Sequence, residues 1–340
     1  MPNTKLNVLL TGASGFLGTN LLNALASQEN INVIAACRDI SKLSNTFKGE
    51  IRQGDLRDPA YRQALVKDID IICHAGTWAA MWSHAKEENT NFYQPTIDLI
   101  EQAKKAGVKR FIMTSTVASA KPTKHKFKNA DFSPSAYTGF WPHLDRLIDI
   151  EKYMKSNSHQ GMQMVVMRLG HFIGAGNKIG LVPALVPRLK TYLVPWLSGG
   201  KSRLPLVTDK DLANAYVAAC LADNLLDYES FNICGENFPS TREVINYISN
   251  KTGMPKPLYS VPYPAGYAFA WLMEKLFPLI PGKAPFLTRS IVHLAEDWWC
   301  DGDYAKQKLG YQPQKGWQVA MDEALKELKK QNYSWPYLAQ

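Results

Sequence analysis

The sequence predicts an α/β protein: a doubly wound parallel sheet with a smaller, discontinuous C-terminal lobe. Three observations carry this. Short apolar, β-rich runs alternate with helical patterns through the first two thirds of the chain, as βαβ units around a parallel sheet require. A glycine turn, Thr11-Gly12-Ala13-Ser14-Gly15-Phe16-Leu17-Gly18, joins the first apolar run to the first helical one. After Arg168, glycines (Gly170, Gly174, Gly176, Gly180) and prolines (Pro183, Pro187, Pro195, Pro205) interrupt the apolar runs, which predicts a loop-rich lobe beside the sheet.

Leu6–Leu10, Ile31–Cys37, Ile69–His74, Phe111–Ser115 and Met164–Leu169 read as strands covered on both faces, because their apolar residues run on rather than alternate. Phe16–Ser27, Asn91–Ala106 and Leu144–Lys155 carry helical spacing, and Pro59–Val66 a short helical turn. Right-handed crossovers distribute these over both faces of the sheet. Asp209–Leu221 resumes an amphipathic helix and Phe231–Ile233 a strand, before Thr241 opens a further helix. The expected division is 1–172 for the sheet domain, with 206–235 returning to it, and 173–205 with 236–340 for the second lobe.

A chain of 340 residues has enough apolar material for one large core or two unequal ones. With 46% apolar and 20% charged residues, disordered, collagenous and coiled-coil classes drop out. The net charge of +9 attracts polyanions, and a phosphate-bearing cofactor answers that as well as a nucleic acid does. The densest basic run, Lys121, Lys124, Lys126 and Lys128 around His125, holds a single aromatic, Phe127, and lacks the stacking series of single-strand binders. It reads as a solvated loop, and no nucleic-acid partner is expected.

Five widely spaced cysteines without a CxxC suit reduced thiols in a cytoplasmic protein. Met1–Leu10 runs straight into an apolar strand with no secretory pattern. Pro257–Met273, the longest uncharged stretch of the tail, contains three prolines and is short for a bilayer, so no integral span is expected. The seven histidines form no HExxH and no pair at ligand spacing, and no metal is expected.

The glycine turn is the strongest functional signal. A backbone that turns sharply from strand to helix, and then lets a diphosphate touch its N–H groups, has no room for side chains. Gly12, Gly15 and Gly18 meet that need, and the helix starting near Phe16 and Leu17 adds a partial positive charge beside Ser14. At the end of the second strand, where NAD-binding proteins place an acid on the ribose 2′-hydroxyl, stand Cys37 and Arg38. A guanidinium pairs with a 2′-phosphate. NADP is therefore preferred, and NAD stays open if Arg38 faces solvent and Asp39 takes the ribose.

The GxxGxxG spacing within Thr11-Gly12-Ala13-Ser14-Gly15-Phe16-Leu17-Gly18 resembles the extended branch of the short-chain dehydrogenase/reductase superfamily, the NAD(P)-dependent epimerase/dehydratase-like group with a Rossmann sheet. Further matches follow in order over roughly residues 6 to 325: Gly54-Asp55-Leu56, Cys73-His74-Ala75-Gly76, the strand Gly107 to Thr116, Arg168-Leu169-Gly170-His171-Phe172-Ile173-Gly174, Asp209-Lys210-Asp211-Leu212-Ala213 and Asp303-Tyr304-Ala305-Lys306 with Leu309-Gly310-Tyr311-Gln312-Pro313. The resemblance implies that Asp55 and Leu56 contact the adenine, that His74, Ala75, Gly76 and Thr114 border the cofactor, and that Thr116 orients the reacting oxygen. It also implies a homodimer built through the helices at Asn91–Ala106 and Leu144–Lys155. The hydroxysteroid-dehydrogenase and dihydroflavonol-reductase-like branch is the nearest in character.

The catalytic signature departs from the family. Members pass a proton through a tyrosine whose pKa, ordinarily about 10, is lowered by a lysine four residues later. With Glu151 in the glutamate slot of the segment, the tyrosine slot falls on His143 and the lysine slot on Leu147. A six-residue slip puts Tyr137 and Trp141 there. Either His143 serves as acid and base, since an imidazole titrates near ~6.5 without help, or Tyr137 reaches in, or the chemistry is lost and the chain binds dinucleotide for another purpose. The aromatic tail (Tyr263, Tyr267, Phe269, Trp271, Phe277, Phe286, Trp298, Trp299) and Trp78 and Trp82 suggest apolar walls. The expected function is an NADP-dependent oxidoreductase acting on a carbonyl or secondary alcohol of a mostly apolar small molecule. A silent or regulatory dinucleotide-binding protein, and an epimerase or dehydratase, are the alternatives.

Overall fold

The continuous apolar runs form a seven-stranded parallel sheet in the computed structural model, which describes residues 5–123, 133–159, 161–178, 180–277 and 285–333. Apart from Lys121, the basic run around His125 lies outside the described residues. In chain order the first half comprises β1 (Leu6–Thr11), α1 (Phe16–Ala26), β2 (Ile31–Cys37), β3 (Ile51–Gln53), α2 (Pro59–Leu65), β4 (Ile71–His74), α3 (Ala85–Glu88), α4 (Gln94–Lys105), β5 (Arg110–Thr116) and α5 (Pro142–Ser156). There follow β6 (Gln163–Leu169), β7 (His171–Ile173), α6 (Leu181–Leu189), β8 (Trp196–Leu197), β9 (Leu206–Thr208), α7 (Asp209–Leu221) and β10 (Tyr228–Ile233). The tail holds α8 (Thr241–Thr252), β11 (Ser260–Val261), α9 (Tyr263–Leu276), α10 (Arg289–Leu294), α11 (Asp303–Leu309) and α12 (Trp317–Lys330).

The strand order is β3-β2-β1-β4-β5-β6-β10. Its direction of growth reverses between β1 and β4, the place where a doubly wound sheet leaves a crevice beyond its strand C-termini. Along β1 successive side chains serve opposite faces. Val8 and Leu10 join the core under α1 and α7, with Leu21, Leu25 and Tyr216, whereas Leu9 joins the core under α4 and α5, with Leu99, Phe111 and Ile148. Each such burial contributes about 1.5–3 kcal/mol, and a strand apolar on both faces is how the sheet collects it twice.

A buried ion pair fixes the far half of the sheet. Arg168 Nη2 donates to Glu151 Oε2 at 2.6 Å, the two side chains being 5% and 2% exposed, and the Ser115 and Ser135 hydroxyls donate to the same carboxylate. The cluster ties β5, β6 and α5 together, and removal of either charge would strand the other in the core.

Several elements differ from the expectation. The helix expected over Asn91–Ala106 is a π-type turn at Asn89–Tyr93 followed by α4, because Pro95 has no N–H to continue a regular ladder backwards. The glycine- and proline-rich stretch after Arg168 contains α6, with Pro183 in its first turn and Pro187 inside it. β7 pairs with β9 and β8 with β11 as small parallel sheets, and α6, α8 and α12 pack around Trp196 and Leu206. The tail does not belong wholly to that lobe: Tyr304 of α11 stacks on Phe231 of β10, and Ala305 and Tyr311 join the sheet core.

At the reversal point His74 is buried, with Nδ1 on Thr11 Oγ1 at 2.8 Å and Nε2 on Thr96 Oγ1 at 3.0 Å. Burial pulls its pKa down to about 4, so the folded protein keeps this imidazole neutral while an unfolded one protonates near ~6.5. The resulting stability is fully present above pH ~6.5 and is lost as pH falls toward 4, on the order of 3 kcal/mol in all. Denaturant midpoints followed from pH 7 to pH 4.5 should therefore fall more steeply for the wild type than for His74→Gln; parallel curves would exclude the assignment.

Candidate active site

The glycine turn is held against the neighbouring strand at backbone distance. Gly12 has φ +68°, and a Cβ there would sit 2.6 Å from the Gly76 nitrogen; at Gly18 it would sit 2.0 Å from the Gly12 carbonyl oxygen. Thr11 fastens the junction, accepting from the Gly76 N–H at 3.2 Å. α1 opens at Gly15 with no side-chain cap and no acid in its first turn. Its first N–H groups and dipole are thus left to an anion. Gly12, Ser14, Gly15, Phe16, Leu17 and Gly18 all border one cleft of about 1190 Å³, large beside the ~300–1,000 Å³ of ordinary ligand pockets. The cradle fits the diphosphate of a dinucleotide.

One end of the cleft is basic. Arg38, Lys42 and Arg57 line it with Asp55 and Leu56. Asp39 does not share this space: its carboxylate accepts from the Ser41 N–H and hydroxyl, at 3.0 and 2.6 Å, and pairs with Lys42. Asp55 is held by Arg57, with Nη2 at 2.7 Å, and that partner draws its carboxyl below the usual range. His74, Ala75, Gly76 and Thr114 follow along the wall. His74 is already spent on Thr11 and Thr96, and Thr114 donates to the His74 carbonyl at 2.9 Å and shares a hydrogen bond with Tyr216.

Beyond the strand ends stand Thr116 and His143, both lining the cleft. Thr116 Oγ1 accepts from the Ala118 N–H at 3.2 Å, which leaves its hydroxyl hydrogen available. His143 enters at the start of α5, with Pro142 before it, and rests against the Phe92 ring. Its Nδ1 lies 3.1 Å from Oε2 of Glu88, a carboxyl with no solvent exposure whose other oxygen accepts from the Ala80 N–H. An ionised carboxylate only accepts, so against an ionised Glu88 it is Nδ1 that donates. The Nε2 atom has no hydrogen-bond partner among the described residues.

Tyr137 is elsewhere. It is 51% exposed, donates to Asp149 at 2.6 Å and lies under Lys152 Nζ, outside the cleft lining. Trp141, in the slipped lysine slot, donates its indole N–H to the Ala80 carbonyl, and Leu147 is a buried neighbour of the cleft. Glu88 was not marked by the sequence. It stands in Ala85-Lys86-Glu87-Glu88, a charged run with the look of a solvated surface, fifty-five positions from its imidazole.

The remaining half of the cleft is walled largely by apolar side chains, among them Trp78, Leu185, Leu197, Phe269, Phe286 and Ile291. Arg188 of α6 reaches the same space, donating to the Ala184 carbonyl, with burial pulling its guanidinium down to about 10. The aromatic tail divides: Phe269 and Phe286 face the cleft, whereas Trp298 is core and Trp299 stacks on Phe238. Of the two tryptophans after β4, Trp78 lines the cleft and Trp82 packs edge-on against Phe277.

Known proteins agree with this architecture. A putative dihydroflavonol 4-reductase of Synechocystis sp. is 26% identical over 344 residues, covering 95% of either chain. Sterol-4-alpha-carboxylate 3-dehydrogenase, decarboxylating, of Dictyostelium discoideum is 25% identical over 337 residues, covering 93% of this chain and 99% of the other. The solved structure of UDP-glucuronic acid 4-epimerase from Bacillus cereus, in complex with UDP-glucuronic acid and NAD, shares the fold with a TM-score of 0.73 at 17% identity, over 96% of this chain and 100% of that one. Residues 8–234 match the model of the NAD dependent epimerase/dehydratase family. With two thirds of its length in that match and a glycine cradle at the reversal point of a Rossmann sheet, the chain belongs to the NAD dependent epimerase/dehydratase family.

Proposed function

We propose that this protein is an NADP-dependent oxidoreductase that interconverts a carbonyl and a secondary alcohol on a mostly apolar small molecule, with His143 as its acid and base. One observation carries the proposal: an imidazole that lines the cleft beginning at the glycine cradle is backed by a buried carboxylate, and its second nitrogen has no hydrogen-bond partner among the described residues. When bound, the nicotinamide accepts or supplies the hydride. This chain's residues do the rest.

In the oxidative direction His143 Nε2 takes the hydroxyl proton, and the Glu88 carboxylate stabilises the imidazolium through Nδ1. In the reductive direction the imidazolium returns that proton to the carbonyl oxygen. The Thr116 hydroxyl positions the oxygen in both. A tyrosine needs a neighbouring cation to work near neutral pH, since it titrates near ~10; an imidazole does not. The missing lysine is thus consistent with retained chemistry. The apolar walls support an apolar substrate, each buried methylene contributing about 0.8 kcal/mol. For the cofactor, Arg38 and Lys42 border the adenosine end while Asp39 is engaged with Ser41 and Lys42, which favours a 2′-phosphate over a bare ribose.

Turnover of a panel of apolar ketones and alcohols, followed at the reduced-nicotinamide absorbance band, should fall about 100- to 10,000-fold in His143→Gln with cofactor affinity unchanged. Tyr137→Phe should leave it as it was. Turnover that survives in His143→Gln, or isomerised product without net cofactor consumption, would refute the proposal.

Arg38→Ala should weaken NADPH binding by roughly 10- to 100-fold and NADH binding little, as loss of a charge-assisted phosphate contact requires. Equal losses for the two in calorimetry would remove the preference for NADP.

A further inference from the structure

The helix α9, with the sequence YPAGYAFAWLMEKL, is apolar around most of its circumference. Such a helix is ordinarily buried on all sides. Here the buried residues are Gly266 and Ala270, while Phe269, Trp271, Leu272 and Leu276 are exposed. The exposure extends past the helix: Leu258 is 76% exposed, and Tyr192, Leu193 and Tyr259 are also open. The segments that carry these residues adjoin one another. Tyr259 donates its hydroxyl to the Leu193 carbonyl at 2.8 Å, the Trp196 N–H donates to the Tyr259 carbonyl, and a Cβ at Gly266 of α9 would stand 3.1 Å from the Leu197 side chain. Leu193, Tyr259 and Phe269 also line the cleft, so apolar surface runs from the exterior into its substrate half. A contiguous exposed patch of this kind marks a site of contact with a partner or a membrane.

Charge chooses between the two. Glu296 stands beside α9, its carboxylate accepting from the Tyr267 hydroxyl, and across residues 177–208 and 244–295 the sequence has one further carboxylate, Glu274. It is spent on Arg289 at 2.7 Å, with its side chain 9% exposed. Lys190, Lys256 and Lys275 are exposed and adjoin the open apolar residues in sequence. A second copy of the chain on a two-fold axis would set this lysine-bearing face against the same face, whereas an anionic bilayer surface attracts it. The exposed Tyr192, Tyr259 and Trp271 suit the headgroup region. At fourteen residues α9 is too short to cross a bilayer and fits one that lies within the interface.

We propose that this face docks on the surface of an anionic lipid bilayer, with α9 lying in the interface, and that the cleft draws its substrate from the lipid phase. The second clause rests on the reading of the cleft as a site for an apolar molecule; the docking does not, and vesicle binding tests it without substrate or cofactor. The full chain should float with vesicles of phosphatidylglycerol and phosphatidylcholine. Binding should drop roughly tenfold or more with phosphatidylcholine alone or in high salt. The triple variant Leu258→Glu, Trp271→Glu, Leu272→Glu should lose flotation with an unchanged Tm, all three side chains being exposed. Lys190→Glu with Lys256→Glu and Lys275→Glu should lose the preference for anionic vesicles. The proposal fails if the wild type stays in the aqueous fraction with both compositions. It fails equally if the wild type is a dimer that binds no vesicle and the first triple variant makes it a monomer, since a second copy would then cover the face.

Discussion

The approach of two backbones at the reversal point of the sheet governs the rest of the structure. Gly12 has its φ at +68° against Gly76, and Gly18 packs on the Gly12 carbonyl, both at distances that no Cβ tolerates. This contact closes β1 onto β4 and turns the chain into α1 with its first N–H groups facing the crevice. The crevice then inherits its order from the topology. The second and third strands end on the basic side, and the fifth strand and the start of α5 end on the other, where Thr116 and His143 stand. His74 reinforces the closure, with both ring nitrogens held by threonines and its pKa lowered by burial.

The proposed reaction would have a familiar scaffold carry a different proton relay. An imidazole on a buried carboxylate stands at the sequence position of a tyrosine otherwise assisted by a lysine, and under the proposed function the two arrangements would solve the same problem with opposite charges. A cation lowers the pKa of a phenol, whereas an anion steadies the imidazolium formed by proton uptake. Leu147 in the lysine slot fits that proposal: a cation beside an imidazole that takes up a proton would oppose it, and a buried apolar residue does not.

How much could be read from the chain followed from how local each cause was. The glycine turn, the strands apolar on both faces and the return of the chain through α7 and β10 are local patterns, and the sheet contains them where the spacing put them. His143 was legible as a departure from a motif. Its partner was not, because Glu88 sits among charged residues that look solvated until α3 and α5 are brought together. Tyr137 was equal to His143 in sequence, and separated from it by the loop that leaves its hydroxyl on Asp149 at the surface. α6 and α9 escaped for another reason: prolines argue for loops, yet Pro183 and Pro264 sit in first turns, where a missing N–H costs nothing.

Glycine cradle, basic end, imidazole and apolar wall lie along a single cleft, and the proposed function puts a nicotinamide ring beside His143. A crystal structure of the protein soaked with NADPH measures this most directly. The expected result is the diphosphate on the N–H groups at Gly15 to Leu17, the 2′-phosphate within reach of Arg38, and the nicotinamide C4 facing a space that His143 Nε2 and the Thr116 hydroxyl both reach. A diphosphate bound away from the glycine turn, or a nicotinamide shielded from His143, would contradict it.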